Sequence, residues 1–168
     1  MISICAGQAR DLLGVLPTHP RRADVTSALI EIDHANAQWG REAAARAGLT
    51  QFEMIEADAA ISDVYAWYVP ADVVLACGIF GNITDEDLER TVRSLSMLCR
   101  TGASVIWTRH WNDPDLTPQI RRWFTESGFD DLSFDGLTNE SKSGVGVVRL
   151  VGAPLPFQPG FRFFTFIR

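Results

Sequence analysis

The first thirty-three residues of this 168-residue chain constrain its fold more than any later stretch. A short apolar run, Ile2-Ser3-Ile4-Cys5, meets a turn of small residues, Ala6-Gly7-Gln8-Ala9, and then a helix-like run over 10–16. A second strand pattern over 27–32 follows and closes on Glu31-Ile32-Asp33. Strand, small-residue turn, helix, strand and acid is the layout of a nucleoside-binding half of a doubly wound α/β sheet. The turn needs small residues so that main chain can approach a ligand, and glycine tolerates the backbone angles this requires. A carboxylate at the end of the second strand can accept hydrogen bonds from both hydroxyls of a ribose.

The turn also separates two ligand classes. A dinucleotide asks for G-x-G-x-x-G, with its pyrophosphate on the helix N-terminus. Here those positions hold Cys5, Gly7 and Arg10, and a long Arg fits poorly where a helix should press on a strand. S-adenosylmethionine has no phosphates; room beside its methionine portion and main-chain donors for its carboxylate suffice, and C-A-G-Q-A supplies both. The plain alternative is a strand-to-helix turn with no ligand, which the acidic strand end weighs against.

A chain of this length buries about 70% of its unfolded surface in one core, and residues 1–168 read as a single domain. Apolar residues make up 46% and charged residues 21%, ordinary globular values. A net charge of −6, with scattered arginines and Lys142 as the one lysine, argues against a nucleic-acid groove. Cys5, Cys77 and Cys99 cannot all pair and show no C-x-x-C spacing, which favours a reducing cytoplasm. No secretory signal is visible and no run approaches the length of a membrane span. No His, Cys or carboxylates show metal-ligand spacing.

Alternation of strand and helix continues to about residue 136. Helices are expected over 35–47, stopped by Gly48, over 62–68, from Thr84-Asp85 to 99, and over 117–127. Strands are expected over 52–55, 72–77, 103–108, after an R-T-G turn, and 131–134. Two β-rich segments, 145–151 and 161–167, end the chain without an intervening helix, fitting an antiparallel strand beside the sixth. Trp39, Trp67, Trp107 and Trp123 read as packing residues, His19 and His34 as surface residues.

With the acids in place, the chain resembles the class I S-adenosylmethionine-dependent methyltransferases over nearly its whole length. Residues 2–9 stand for the glycine motif, Ile30-Glu31-Ile32-Asp33 for the ribose motif, and Glu56-Ala57-Asp58-Ala59 for the adenine-side acid. Residues 72–82 and 95–107 stand for the fourth-strand motif and for the helix, turn and fifth strand. The resemblance implies a mostly parallel, doubly wound seven-stranded α/β sheet of order 3-2-1-4-5-7-6 with the last strand antiparallel. Two departures stand out. Ser3 replaces the usual acid, with Cys5 and Ala9 for the outer glycines. The chain also starts at the strand, without the family's N-terminal helix, and that missing cover predicts an exposed apolar patch and self-association into a homodimer.

On this resemblance, S-adenosylmethionine is held by Cys5, Ala6, Gly7, Glu31, Ile32, Asp58, Ala59, Cys77 and Gly78. Glu31 takes the ribose, Asp58 the adenine amino group, and the Ala59 N–H the adenine ring; Asp33 reads as the N-cap of the next helix. Methyl transfer asks mainly for alignment of nucleophile, methyl and sulfur. His110 is the general-base candidate, since imidazole as a side-chain type titrates near neutrality, and Asn82 orients a substrate heteroatom or serves as a turn residue. Phe80 and Trp111 are expected to wall a substrate site, and Arg109 to attract an acidic group or pair with Asp113 or Asp115. The D/N-P-P-Y signature of adenine or glutamine methylation is absent, which favours a small-molecule acceptor. The alternatives are an NAD-dependent oxidoreductase and a non-catalytic binding domain of the same fold.

Overall fold

Side chains alternate across strands, so a sheet covered on both faces must be apolar at nearly every position. In a computed structural model, which describes residues 1–111, 113–136 and 142–167, seven strands form one sheet whose inner strands follow this rule best. They are β1 (Ile2–Ser3), β2 (Ser27–Glu31), β3 (Phe52–Glu56), β4 (Ala71–Ala76), β5 (Cys99–His110), β6 (Phe129–Gly136) and β7 (Ser143–Leu150). The order is β3-β2-β1-β4-β5-β7-β6, with β7 antiparallel to both its neighbours. Strand order reverses between β1 and β4, the switch point where open α/β sheets receive ligands.

The four α-helices among the described residues are α1 (Arg10–Leu13), α2 (His34–Arg46), α3 (Asp85–Ser94) and α4 (Thr117–Glu126). Leu29 and Leu75 point to one face, under Leu12 of α1 and Ala37 of α2. Ala28, Ile30, Val74 and Ala76 point to the other, packing with Leu88 and Val92 of α3 and Ile120 and Phe124 of α4. The helix starts follow capping chemistry. Asp33 accepts from the Asn36 N–H at 2.8 Å and Thr84 from the Asp87 N–H at 3.2 Å, while Asp85, Glu86 and Asp87 put acids where the dipole favours them.

Four expectations need correction. The first helix is one turn, not seven residues. Thr101-Gly102 does not form a turn before the fifth strand but lies inside β5: pairing with β4 jumps between Ala71 and Val73, and Gly102 at φ +87° takes up the irregularity. Trp67 is 92% exposed, and Trp39 lies half-exposed with the Arg10 guanidinium 5.3 Å from its ring. Residues 161–167 are not a sheet strand; only the segment before them, β7, inserts between β5 and β6.

That last segment is instead a strap over the α3 side of the sheet. The Leu155 N–H donates to Ser96 Oγ, the Ser62 hydroxyl to Gln158 O, and the Gly160 N–H to Asp63 Oδ2. Single bridges pair Ile61 with Arg162 and Ile83 with Phe166. Phe163 and Phe164 are fully buried and pin the strap into the core, and the Thr91 hydroxyl donates to Phe163 O at 2.9 Å. No described helix is long and apolar enough to cross a membrane.

Candidate functional site

The turn after β1 keeps an unusual backbone. Cys5, Gly7 and Ala9 all lie in the left-handed region, at φ +54°, +55° and +54°. For the two non-glycine residues that conformation costs about 1–2 kcal/mol each, so the surrounding structure must impose it. Part of the constraint is Glu31, only 8% exposed at the end of β2. Its Oε2 accepts from the Gly7 N–H at 2.7 Å and its Oε1 from the Asp33 N–H at 2.8 Å. The Ala6 N–H adds a bond to Ile30 O at 2.8 Å. Each carboxylate oxygen keeps a second acceptor direction, so Glu31 braces the turn and still has capacity for hydroxyl donors. Beside it Ile32 is 68% exposed, an apolar surface at the strand end.

Asp58 and Ala59 follow β3. Asp58 Oδ1 accepts from the Ala60 N–H at 2.9 Å, and Oδ2 faces Arg162 Nη2 at 3.3 Å. Ala59 O takes the Tyr65 hydroxyl at 2.6 Å, while the Ala59 N–H has no partner among the described residues. A carboxylate acceptor next to an unpaired main-chain donor is the complement of the amino and ring-nitrogen edge of adenine. Burial, with the Glu31 and Asp58 charges adding to it, pushes the Cys5 thiol up to about 12. It is a neutral packing group at physiological pH, not a nucleophile.

Across the switch point, the ends of β4 and β5 enclose a cleft of about 600 Å³. Gly78, Gly81, Asn82, Asp85, Thr108, Arg109 and His110 line it together with Asp113, Pro114, Leu116 and Ser143. Thr108 Oγ1 accepts from the Gly78 N–H at 2.9 Å, and Asn82 Nδ2 donates to Gly78 O at 2.8 Å. Gly78 sits at φ +75°, a conformation that favours glycine. Cys77, just before it, has its thiol pushed up to about 11 by burial and by Asp11.

The cleft brings Asn82, Gly78, Arg109 and His110 together, but two expected wall residues lie elsewhere. Phe80 is fully buried, packed against Trp107 and Phe124, and offers the site only its carbonyl, which accepts from Arg109 Nη1. Trp111 packs edge-on against Phe134, with its ring over Gly136, and its main-chain N–H donates to Lys142 O at 2.8 Å. Arg109 is correspondingly tied into the fold. Burial pulls its pKa down, while the Asp85 and Asp115 charges act in the opposite sense. Among the described residues no group of three or more His, Cys, Asp or Glu is placed to hold a metal ion.

Sequence reasoning missed Asp85, Thr108 and Arg162. Asp85 reads as a helix-start acid and Thr108 as a strand residue, so neither carries a separate signal. Arg162 lies 104 residues from Asp58 in a segment without a motif.

No sequence family and no curated protein matches the chain, whereas solved structures do. An O-methyltransferase family protein from Burkholderia thailandensis superposes at a TM-score of 0.69 with 14% identity, over 88% of this chain and 49% of that one. Magnesium protoporphyrin IX methyltransferase from Synechocystis, solved with bound S-adenosylmethionine, gives 0.68 and 12%, over 88% and 68%. The [4+2]-cyclase SpnF gives 0.63 and 11%, over 88% and 74%. The chain thus spans about half to three quarters of the length of these proteins. Sheet order, the antiparallel β7 and these superpositions agree: the chain has the fold of the class I S-adenosylmethionine-dependent methyltransferases.

Proposed function

We propose that residues 1–168 form one S-adenosylmethionine-binding unit that transfers methyl groups to a small polar acceptor. One observation carries the reading: the buried Glu31 carboxylate holds the Gly7 N–H of a left-handed turn while keeping acceptor capacity toward the switch point. In this reading Glu31 takes the ribose hydroxyls and the 5–9 turn faces the methionine portion. Ile32 covers one purine face, and Asp58 and the Ala59 N–H take the purine edge. Cys77 and Gly78 approach the sulfonium through main chain. The cofactor supplies an electrophilic methyl group.

The chain's own residues hold the acceptor in the β4–β5 cleft, whose volume suits a small molecule. Asn82 and Thr108 fix the glycine turn there, and His110 takes the proton from the attacking heteroatom. The cleft wall combines Arg109 with Asp85 and Asp113, favouring an acceptor that carries both hydrogen-bond donors and an acidic or carbonyl group. A dinucleotide fits less well. Helix α1 is only four residues long, so it offers little dipole to a pyrophosphate. The fold also carries cyclase chemistry in SpnF, so methyl transfer has to be tested directly. Incubation with S-adenosylmethionine labelled on the methyl group and a fractionated extract should label only molecules below about the cleft's capacity. Label in macromolecules, or none despite cofactor binding, would overturn the acceptor class or the activity respectively.

A further inference from the structure

Among the described residues, the strap's one charged contact with the candidate cofactor residues is the pair between Arg162 and Asp58. Two attachments fix Arg162 from the strap side. Its main chain bridges to Ile61, and its Nη1 donates to Phe164 O at 3.3 Å. The neighbouring Phe163 and Phe164 are fully buried, and the Phe163 N–H donates to Ala60 O at 2.8 Å. The guanidinium therefore approaches Asp58 from a rigid base. On the other side, Asp58 Oδ1 is taken by the Ala60 N–H at 2.9 Å. Arg162 Nη2 reaches the other oxygen, Oδ2, at 3.3 Å.

A carboxylate oxygen accepts from two directions, so one guanidinium bond does not close Oδ2 to an incoming amino group. It does restrict rotation of the carboxylate, which only the Ala60 bond would otherwise hold. An acceptor fixed before the ligand arrives costs less to order on binding.

We propose that Arg162 is a positioning residue for purine recognition: the strap holds the Asp58 carboxylate in the orientation that accepts the exocyclic amino group of a 6-aminopurine nucleoside. This rests on the reading of Asp58 as the adenine-side acid. It makes the C-terminal segment, far away in sequence, part of the nucleoside site.

The test is calorimetric titration of S-adenosylhomocysteine into the full chain, as wild type and as Arg162→Ala, Arg162→Lys, Asp58→Ala and the Arg162→Ala/Asp58→Ala double variant. Melting temperatures check that each variant folds. Arg162→Ala should weaken binding about three- to tenfold, the range of one hydrogen bond's net worth. The same change in the Asp58→Ala background should cost nothing further, because Arg162 acts through Asp58. Arg162→Lys, which keeps the charge but not the fork, should restore part of the loss.

Equal losses in both backgrounds would assign Arg162 a structural role and overturn the proposal. Tighter binding by Arg162→Ala would make it a competitor of the ligand, with the same consequence. Binding by wild type that is indifferent to Asp58→Ala would refute the Arg162 role and leave the cofactor itself standing. Failure of wild type to bind would remove both.

Discussion

Glu31 is the residue on which turn geometry and ligand capacity converge, and Glu31→Ala is the most informative single perturbation. The side chain is 8% exposed and accepts two main-chain N–H groups, from Gly7 at 2.7 Å and Asp33 at 2.8 Å. Hydrogen bonds to a charged partner are worth about 1.5–3 kcal/mol each net. The strand end lies close to solvent, so water can take over part of each bond once the carboxylate is gone. The expected cost of Glu31→Ala is therefore about 2–4 kcal/mol. At this chain length that lowers Tm by about 4–16 °C. Glu31→Gln keeps one acceptor oxygen and turns an NH2 toward the second N–H, so about half of the cost remains. Thermal unfolding followed by circular dichroism measures both. A Tm for Glu31→Ala within a degree of wild type would refute the bracing role. If S-adenosylhomocysteine affinity were also unchanged, Glu31 would leave the site altogether.

Further outcomes follow from burial and titration. Phe80→Ala should cost about 3–5 kcal/mol, because the ring is fully buried between Trp107 and Phe124; denaturation by urea reads this, and a loss below about 1 kcal/mol would return Phe80 to the cleft wall. Trp67→Ala should change stability by less than about 0.5 kcal/mol, since its ring is 92% exposed. Gly146→Ala should be strongly destabilising, because a Cβ there would lie 2.2 Å from the Trp107 ring, and a near-neutral melting shift would contradict the flat stacking of Trp107 on β7. Burial holds the thiols of Cys5 and Cys99 at about 12 and Cys77 at about 11, against 9.0 for a free thiol. The unfolded chain ionises first, so this contribution is intact below pH 8 and is lost as pH rises from 9 to about 11 for Cys77 and to about 12 for Cys5 and Cys99, at about 1.4 kcal/mol per unit for each thiol. Urea midpoints across pH 8–10.5 should fall accordingly, and a flat profile would contradict the thiol burial.

The sheet was legible because β1, β2 and β4 are short, largely apolar runs that end near Gly or Asp, and a chain that alternates such runs with helices has few ways to wind. Glu31 and Asp33 could even be told apart, one as a strand-end acid and the other as a cap, from the helix that starts at His34. Phe80 and Trp111 could not be placed. An aromatic residue just past a strand end serves equally as core or as wall, and the outcome depends on whether the turn directs it inward. Gly78 at φ +75° precedes an inward turn here, and the β5–β7 pairing continues to Trp111. The strap was illegible for a different reason. Its alternation of Phe with Arg and Thr has the period of a strand, yet its partners are single residues at 61 and 83, chosen by three-dimensional proximity rather than by any local pattern.

The central claim is that the carboxyl ends of β1, β2 and β3 hold an adenosyl cofactor without phosphates. Parallel calorimetric titrations of S-adenosylhomocysteine and NAD into wild type and Glu31→Ala test it most directly. The account predicts one-to-one binding of S-adenosylhomocysteine, weakened in Glu31→Ala, and no heat with NAD. Binding of NAD in place of S-adenosylhomocysteine, or of neither, would contradict it.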